Sequence, residues 1–223
     1  MQLIKKTFIF LYREMKISFS NLSDLLSNIL FFFLSIFIFV FAIGPEKSSY
    51  NEIAIGILWS LLILSSTLSL RKYYEEDFKN GTLIILHMSG LSYELIVILK
   101  VISHFLFVQI PFLISIPIAS IIIGLSTNEI LLLFITFSIG SLILSCLGSI
   151  SASMNLLNKF NFSIGSAIVL LFSIPLIIFS IGILNEPENF NFLFNIILGI
   201  AFIFIGITPW SSAASLKLAI NNQ

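Results

Sequence analysis

The side chains best suited to chemistry are few. There are two histidines, His87 and His104, and one cysteine, Cys146. His104 follows Lys100 by one helical turn, which puts it about 6 Å deeper along a helix axis. An ionisable residue inside an apolar run is a candidate ligand or proton relay. A histidine near a helix entrance is more often only a hydrogen-bonding partner of a neighbouring helix. Trp59, inside another apolar run, reads either as an interfacial anchor or as a platform for a flat hydrophobic ligand. Cys146 has no second cysteine to pair with, and neither C-x-x-C nor C-x-x-C-H occurs, so zinc-cluster and covalent haem-attachment readings fail. Two histidines are too few for a histidine-built metal site. No G-x-x-x-x-G-K-[ST] binds ATP here. No G-x-S-x-G or H-E-x-x-H supplies a nucleophile or a metal base. No apolar run carries a series of carboxylates for proton-driven transport. The chain therefore reads as non-catalytic, and any work it does draws energy from a partner.

The elements that position these residues are set by hydropathy. Of 223 residues, 58% are hydrophobic and 10% charged, against about 25% charged in a soluble domain. A mean hydropathy of +1.10 exceeds what a globular core hides, so lipid is the expected solvent. A net charge of zero gives no field for nucleic acid. Apolar runs cover about 25–43, 53–70, 96–123, 129–153, 164–184 and 192–214, each near the ~20 residues that a span requires. The expected architecture is an all-α integral membrane protein of six transmembrane helices, forming one transmembrane domain over 1–223. Pro111 and Pro117 should kink the third span. Residues 1–22 are different. Ile4, Phe8, Leu11, Tyr12, Met15 and Phe19 recur at helical spacing, with Lys5, Lys6, Arg13, Glu14 and Lys16 on the other side. That pattern predicts an amphipathic helix lying in the membrane interface.

Basic residues set the orientation. With the N-terminus inside, ten lie on the inner side (Lys5, Lys6, Arg13, Lys16, Arg71, Lys72, Lys79, Lys100, Lys159 and Lys217) and only Lys47 lies outside. This positive-inside bias supports cytoplasmic N- and C-termini and an even number of spans. Lys100 is expected to snorkel to the cytoplasmic interface.

The one sizeable polar stretch runs from Arg71 to Glu94, between spans two and three. A short helix over Tyr73–Lys79 should stop at Asn80-Gly81. Thr82 is placed to cap a second helix over Leu83–Met88, and Ser92 to cap the start of span three. Such a segment either connects spans or fills a groove on a partner. In span four, Ser141, Ser145, Ser149 and Ser153 recur every fourth residue, beside Gly148 and Ala152. Small residues at that spacing allow close helix packing, within the chain or across a dimer seam.

These features, taken in order, resemble a known family. Six spans, an interfacial N-terminal helix and a polar first cytoplasmic loop are similar to the membrane subunit of ABC-2-type exporters. More closely, the chain resembles the haem exporter protein B (CcmB) family of the cytochrome c maturation system. The likeness is carried by Ile43-Gly44-Pro45-Glu46, Gly56-Ile57-Leu58-Trp59, Leu64-Ser65-Ser66, Glu75-Glu76-Asp77-Phe78, Asn80-Gly81-Thr82-Leu83, Lys100 with His104, Thr208-Pro209-Trp210, Ala213-Ala214 and Leu216-Lys217. It departs where Ile84 stands in place of an acidic residue and where no proline lies near Gly90.

The resemblance implies a permease subunit in the bacterial inner membrane, homodimeric within its complex. Its partners would be a cytoplasmic ABC ATPase subunit (CcmA-like), haem-handling membrane subunits (CcmC- and CcmD-like) and a haem chaperone. It implies that Tyr74, Glu75, Glu76, Asp77, Phe78 and Leu83 form the ATPase-coupling element. Trp59 and His104 are the candidates for any haem path. Haem would be a handled ligand, not a covalent cofactor, and ATP would act only through the partner. A permease for a drug, lipid or polysaccharide, and a scaffold that assembles other subunits, remain alternative readings.

Overall fold

The computed structural model describes residues 2–44, 50–68, 73–157 and 164–222. The basic residues Lys47, Arg71, Lys72 and Lys159, and the Pro45-Glu46 pair, lie outside them. Among the described residues every regular element is helical, as the near-continuous apolar runs require. In lipid, a helix satisfies its own backbone hydrogen bonds.

Helix α1 (Gln2–Ser20) meets α2 (Leu22–Ile43) at a break at Asn21. Next come α3 (Tyr50–Thr67), the short α4 (Glu75–Lys79) and α5 (Thr82–Met88), and α6 (Tyr93–His104). A π turn over Phe105–Gln109 joins α6 to α7 (Ile110–Ile123). The chain closes with α8 (Thr127–Leu157), α9 (Ile164–Asn185) and α10 (Phe190–Asn221). Among the described residues, five helical stretches are long and apolar enough to cross a membrane: α2, the continuous α6–α7 rod, α8, α9 and α10. The sixth apolar helix, α3, is shorter, with Ile53–Thr67 as its apolar stretch. The protein is an all-α, multi-pass membrane protein.

Helix α8 is the hub, packing against α10, α9, α7 and α6. Its serine stripe explains why. Ser141, Ser145, Ser149 and Ser153 are all fully buried within this chain, so the small residues serve intrachain contact. Helix α2 lies at the opposite extreme, with only Phe32 and Ile36 buried, and presents most of its apolar surface outward.

The kink in the third span takes a specific form. Along α6 the buried face includes Tyr93, Val97, Lys100 and His104; along α7 it includes Phe112, Ile116, Ala119 and Ile123. Between them the next buried residue is Gln109, five positions after His104. An unbroken α-helix would step three or four. The π turn takes up the extra residue and keeps both stripes facing the bundle. It ends two residues before Pro111, whose missing N–H already weakens the helical ladder there.

The polar segment departs from expectation in two details. The first short helix begins at Glu75, not Tyr73. Helix α5 has no side-chain cap: Gly81, at φ 68°, turns the chain between the two helices, and Thr82 is already the first helical residue. Ser92 does cap α6, its hydroxyl oxygen accepting from the Leu95 N–H at 3.3 Å.

Candidate functional site

Four charged residues from three separate elements meet at one end of the bundle. Helix α1 supplies Arg13 and Glu14, α4 supplies Asp77, and α6 supplies Lys100. Lys100 Nζ lies 2.8 Å from Glu14 Oε2 and 2.5 Å from Asp77 Oδ2. Arg13 Nη1 donates to Glu14 Oε1 at 2.7 Å, and its Nη2 donates to Asp77 Oδ1. Each carboxylate is therefore shared by both cations. Glu14, Asp77 and Lys100 are only 6%, 5% and 7% exposed. Two positive and two negative charges cancel, which is the condition for keeping such a group away from water.

The electrostatics follow from that geometry. Burial alone would raise the Asp77 carboxyl, but Lys100 and Arg13 outweigh it and hold it below its ordinary range. Burial works against the Arg13 charge as well, and Asp77 and Glu14 more than compensate. Tyr73 and Tyr74, buried beside them, are both pushed upward by desolvation, so both phenols stay protonated.

The two tyrosines and His104 are pinned to the serine stripe of α8. Ser145 donates its hydroxyl proton to the Ser141 carbonyl at 3.0 Å, so its oxygen accepts from His104 Nδ1, 3.1 Å away. Tyr73 packs on the His104 ring with centroids 4.8 Å apart, and its hydroxyl reaches the Ser145 carbonyl at 3.4 Å. Tyr74 bonds Ser149 at 2.7 Å, and Ser149 in turn donates to Ser212 on α10 at 3.1 Å. The segment before α4 is thereby tied to α6, α8 and α10 at once. A second tie lies nearby: Lys217 near the end of α10 bonds Glu94 at 2.7 Å.

Above the charge cluster is a cavity of about 400 Å³, bordered by Asn21, Asp24, Asn28, Glu76, Lys100 and His104 among others. It lies between α1, the start of α2, α4 and α6. Its wall is polar near α4 and apolar towards Phe107 and Val108 of the π turn.

The side chains singled out from sequence fall into two groups. Tyr74, Asp77 and Leu83 turn into the chain's own interior. Glu76 is exposed, and Glu75 and Phe78 are partly so. The outer surface of α5 carries Ile85 and Met88, 64% and 81% exposed. Lys100 does not snorkel to the interface: Glu14 and Asp77 turn it inward. Neither partner is adjacent in sequence, and only a long-range contact map would have revealed them.

Trp59 also departs from its anchor reading. It is fully buried and packs against Phe137, with ring centroids 5.4 Å apart and the planes tilted by 58°. It fits because residue 140 is glycine; a Cβ there would sit 2.6 Å from the indole. His104 borders the cavity and Trp59 does not.

Comparison with known proteins completes the picture. A family model described as CcmB protein matches residues 5–219. The heme exporter protein B of Haemophilus influenzae is 30% identical over 214 residues, covering 94% of this chain and 96% of its own. Its counterpart from Bradyrhizobium diazoefficiens is 25% identical over 209 residues, covering 92% and 94%. The Pseudomonas aeruginosa protein of the same name is 26% identical over 215 residues, covering 94% and 96%.

Proposed function

The chain belongs to the CcmB protein family, and on that premise we propose that it is the permease subunit of an ABC-type complex that handles haem for c-type cytochrome biogenesis. ATP hydrolysis takes place on a separate cytoplasmic subunit. The relatives' shared name, heme exporter protein B, supplies the substrate class. The positive-inside bias supports a cytoplasmic-membrane location with both termini inside. Two copies act in one complex, with haem-handling membrane subunits and a haem chaperone alongside.

The observation that carries the proposal is the bridging of Asp77 to Lys100 and Arg13. A coupling element needs an outer surface that a motor can grip and an inner surface that moves the membrane helices. Glu75, Glu76 and Phe78, with Ile85 and Met88 of α5, form the outer surface. Tyr74, Asp77 and Leu83 form the inner one. When the ATPase dimer closes and shifts α4, the carboxylate of Asp77 draws Lys100 and therefore α6. Leaving the cations behind would strand buried charge at a cost of about 3–5 kcal/mol, so the elements move together. Arg13 and Glu14 carry the same displacement into α1. In this reading His104 borders the space through which a cargo group or chaperone contact is sensed, and Trp59 holds α3 against α8.

A mild-detergent pull-down of the full chain, analysed by mass spectrometry, tests the proposal. Recovery of an ABC ATPase with haem-lyase-type membrane subunits is the expected result. Recovery of an ATPase with drug- or polysaccharide-export components would replace the haem assignment, and recovery of no ATPase would remove the coupling role.

A further inference from the structure

Helix α1 has two working faces, and only one is used by the charge cluster. The inner face carries Phe10, Arg13 and Glu14. The outer face presents Phe8, Ile9, Tyr12 and Phe19, all more than half exposed. Lys5 and Lys16, also exposed, flank this strip. At 100° per residue, Phe8, Tyr12 and Phe19 fall within about 40° of one another, and Lys5, Lys16 and Ile9 line one edge of that arc. The helix's single acid, Glu14, is buried on the far side. Every exposed charge on α1 is therefore positive.

We propose that this face binds anionic lipid headgroups, with the aromatic strip seated at the acyl boundary and Lys5 and Lys16 each on a lipid phosphate. The charge pattern favours lipid over a protein partner. Exposed aromatic rings with lysines along one edge are the pattern of an interfacial helix on an anionic leaflet. Lys5 and Lys16 are about 16 Å apart along the axis at 1.5 Å per residue, so they engage separate lipids. The same helix holds Asp77 through Arg13 from its inner face, so anionic lipid on the outer face fixes the position from which the coupling segment is held. Lipid binding itself does not depend on which cargo the complex handles.

The test is titration of the detergent-purified full chain with short-chain phosphatidylglycerol and, separately, phosphatidylcholine. The native chain is expected to prefer phosphatidylglycerol. K5A and K16A should each weaken that binding by about five-fold, the effect of one basic residue at an anionic surface, and the double variant by more. K5R/K16R should keep it. K79A, which removes an exposed lysine bonded to Glu75, should leave it unchanged. Circular dichroism confirms that each variant is folded, and the arginine pair separates loss of charge from loss of fold. An undiminished phosphatidylglycerol preference in K5A/K16A would overturn the proposal. So would unchanged lipid binding with loss of a co-purifying subunit, which would make the face a protein interface. The failure of either leaves the haem assignment untouched, because no arm reads cargo.

Discussion

Asp77 and Lys100 meet at 2.5 Å across the boundary between the polar segment and a membrane-spanning helix. One residue sits on a five-residue helix outside the span, the other two turns into α6. Their contact makes a peripheral element and a membrane helix a single mechanical unit. With Arg13 and Glu14 the pair is neutral, and removal of any one member leaves buried charge.

The first expectation concerns stability. Asp77→Ala leaves Lys100 and Arg13 to share one remaining carboxylate, and should destabilise the fold by about 3–5 kcal/mol. Thermal unfolding in detergent measures this. Glu76→Ala, on the exposed side of the same helix, should fall within about 0.5 kcal/mol of the native chain.

The second concerns pH. The Asp77 carboxyl sits below its ordinary value of 3.8 in the folded protein. A depressed acid contributes stability that is fully present above the unfolded value and is lost as pH falls through the folded one. The contribution of Asp77 to the melting temperature should therefore be full and constant between neutral pH and about pH 5, then be lost on further acidification. Asp77→Asn should flatten that acid limb. An acid limb that is unchanged in Asp77→Asn would assign it to other carboxylates.

The third concerns Gln109. It is buried in the π turn, and both its amide atoms lack a hydrogen-bond partner among the described residues. An orphaned buried polar group costs about 1–3 kcal/mol. Gln109→Leu, close in size, should raise thermal stability. A lower melting temperature would show that the amide has a partner in the working protein, such as an ordered water.

The fourth concerns the Trp59 notch. Gly140→Ala puts a methyl 2.6 Å from the indole and should destabilise by about 1–3 kcal/mol through overpacking. Trp59→Phe in the same chain should recover part of that loss, which a double-mutant cycle reads directly.

Much of this architecture was legible in the sequence, and the exceptions have physical causes. Hydropathy marks the apolar helices because lipid forces every span to be both apolar and helical. Ser92 is readable as a cap because capping is local. Lys100 is not readable, because a lysine near a membrane boundary usually reaches for water, and its two acids come from α1 and α4. The π turn leaves a four-residue gap in the buried stripe, yet Phe105, Leu106, Phe107 and Val108 are all apolar, so the slip is invisible in composition. Trp59 reads as an anchor until Gly140 is known to face it. Asp77 is readable as part of a polar, acidic segment, but not as the residue that turns inward from it.

The most direct test is Asp77→Asn in cells that depend on this chain for c-type cytochromes. Co-purified ATPase, subunit levels and mature cytochrome should be measured together. Transmission through Asp77 predicts that the ATPase still co-purifies with the chain that remains, while mature cytochrome, normalised to the level of the chain, falls on the order of tenfold, the effect of losing about 1.4 kcal/mol of coupling. Normal cytochrome maturation with the ion cluster broken would contradict it.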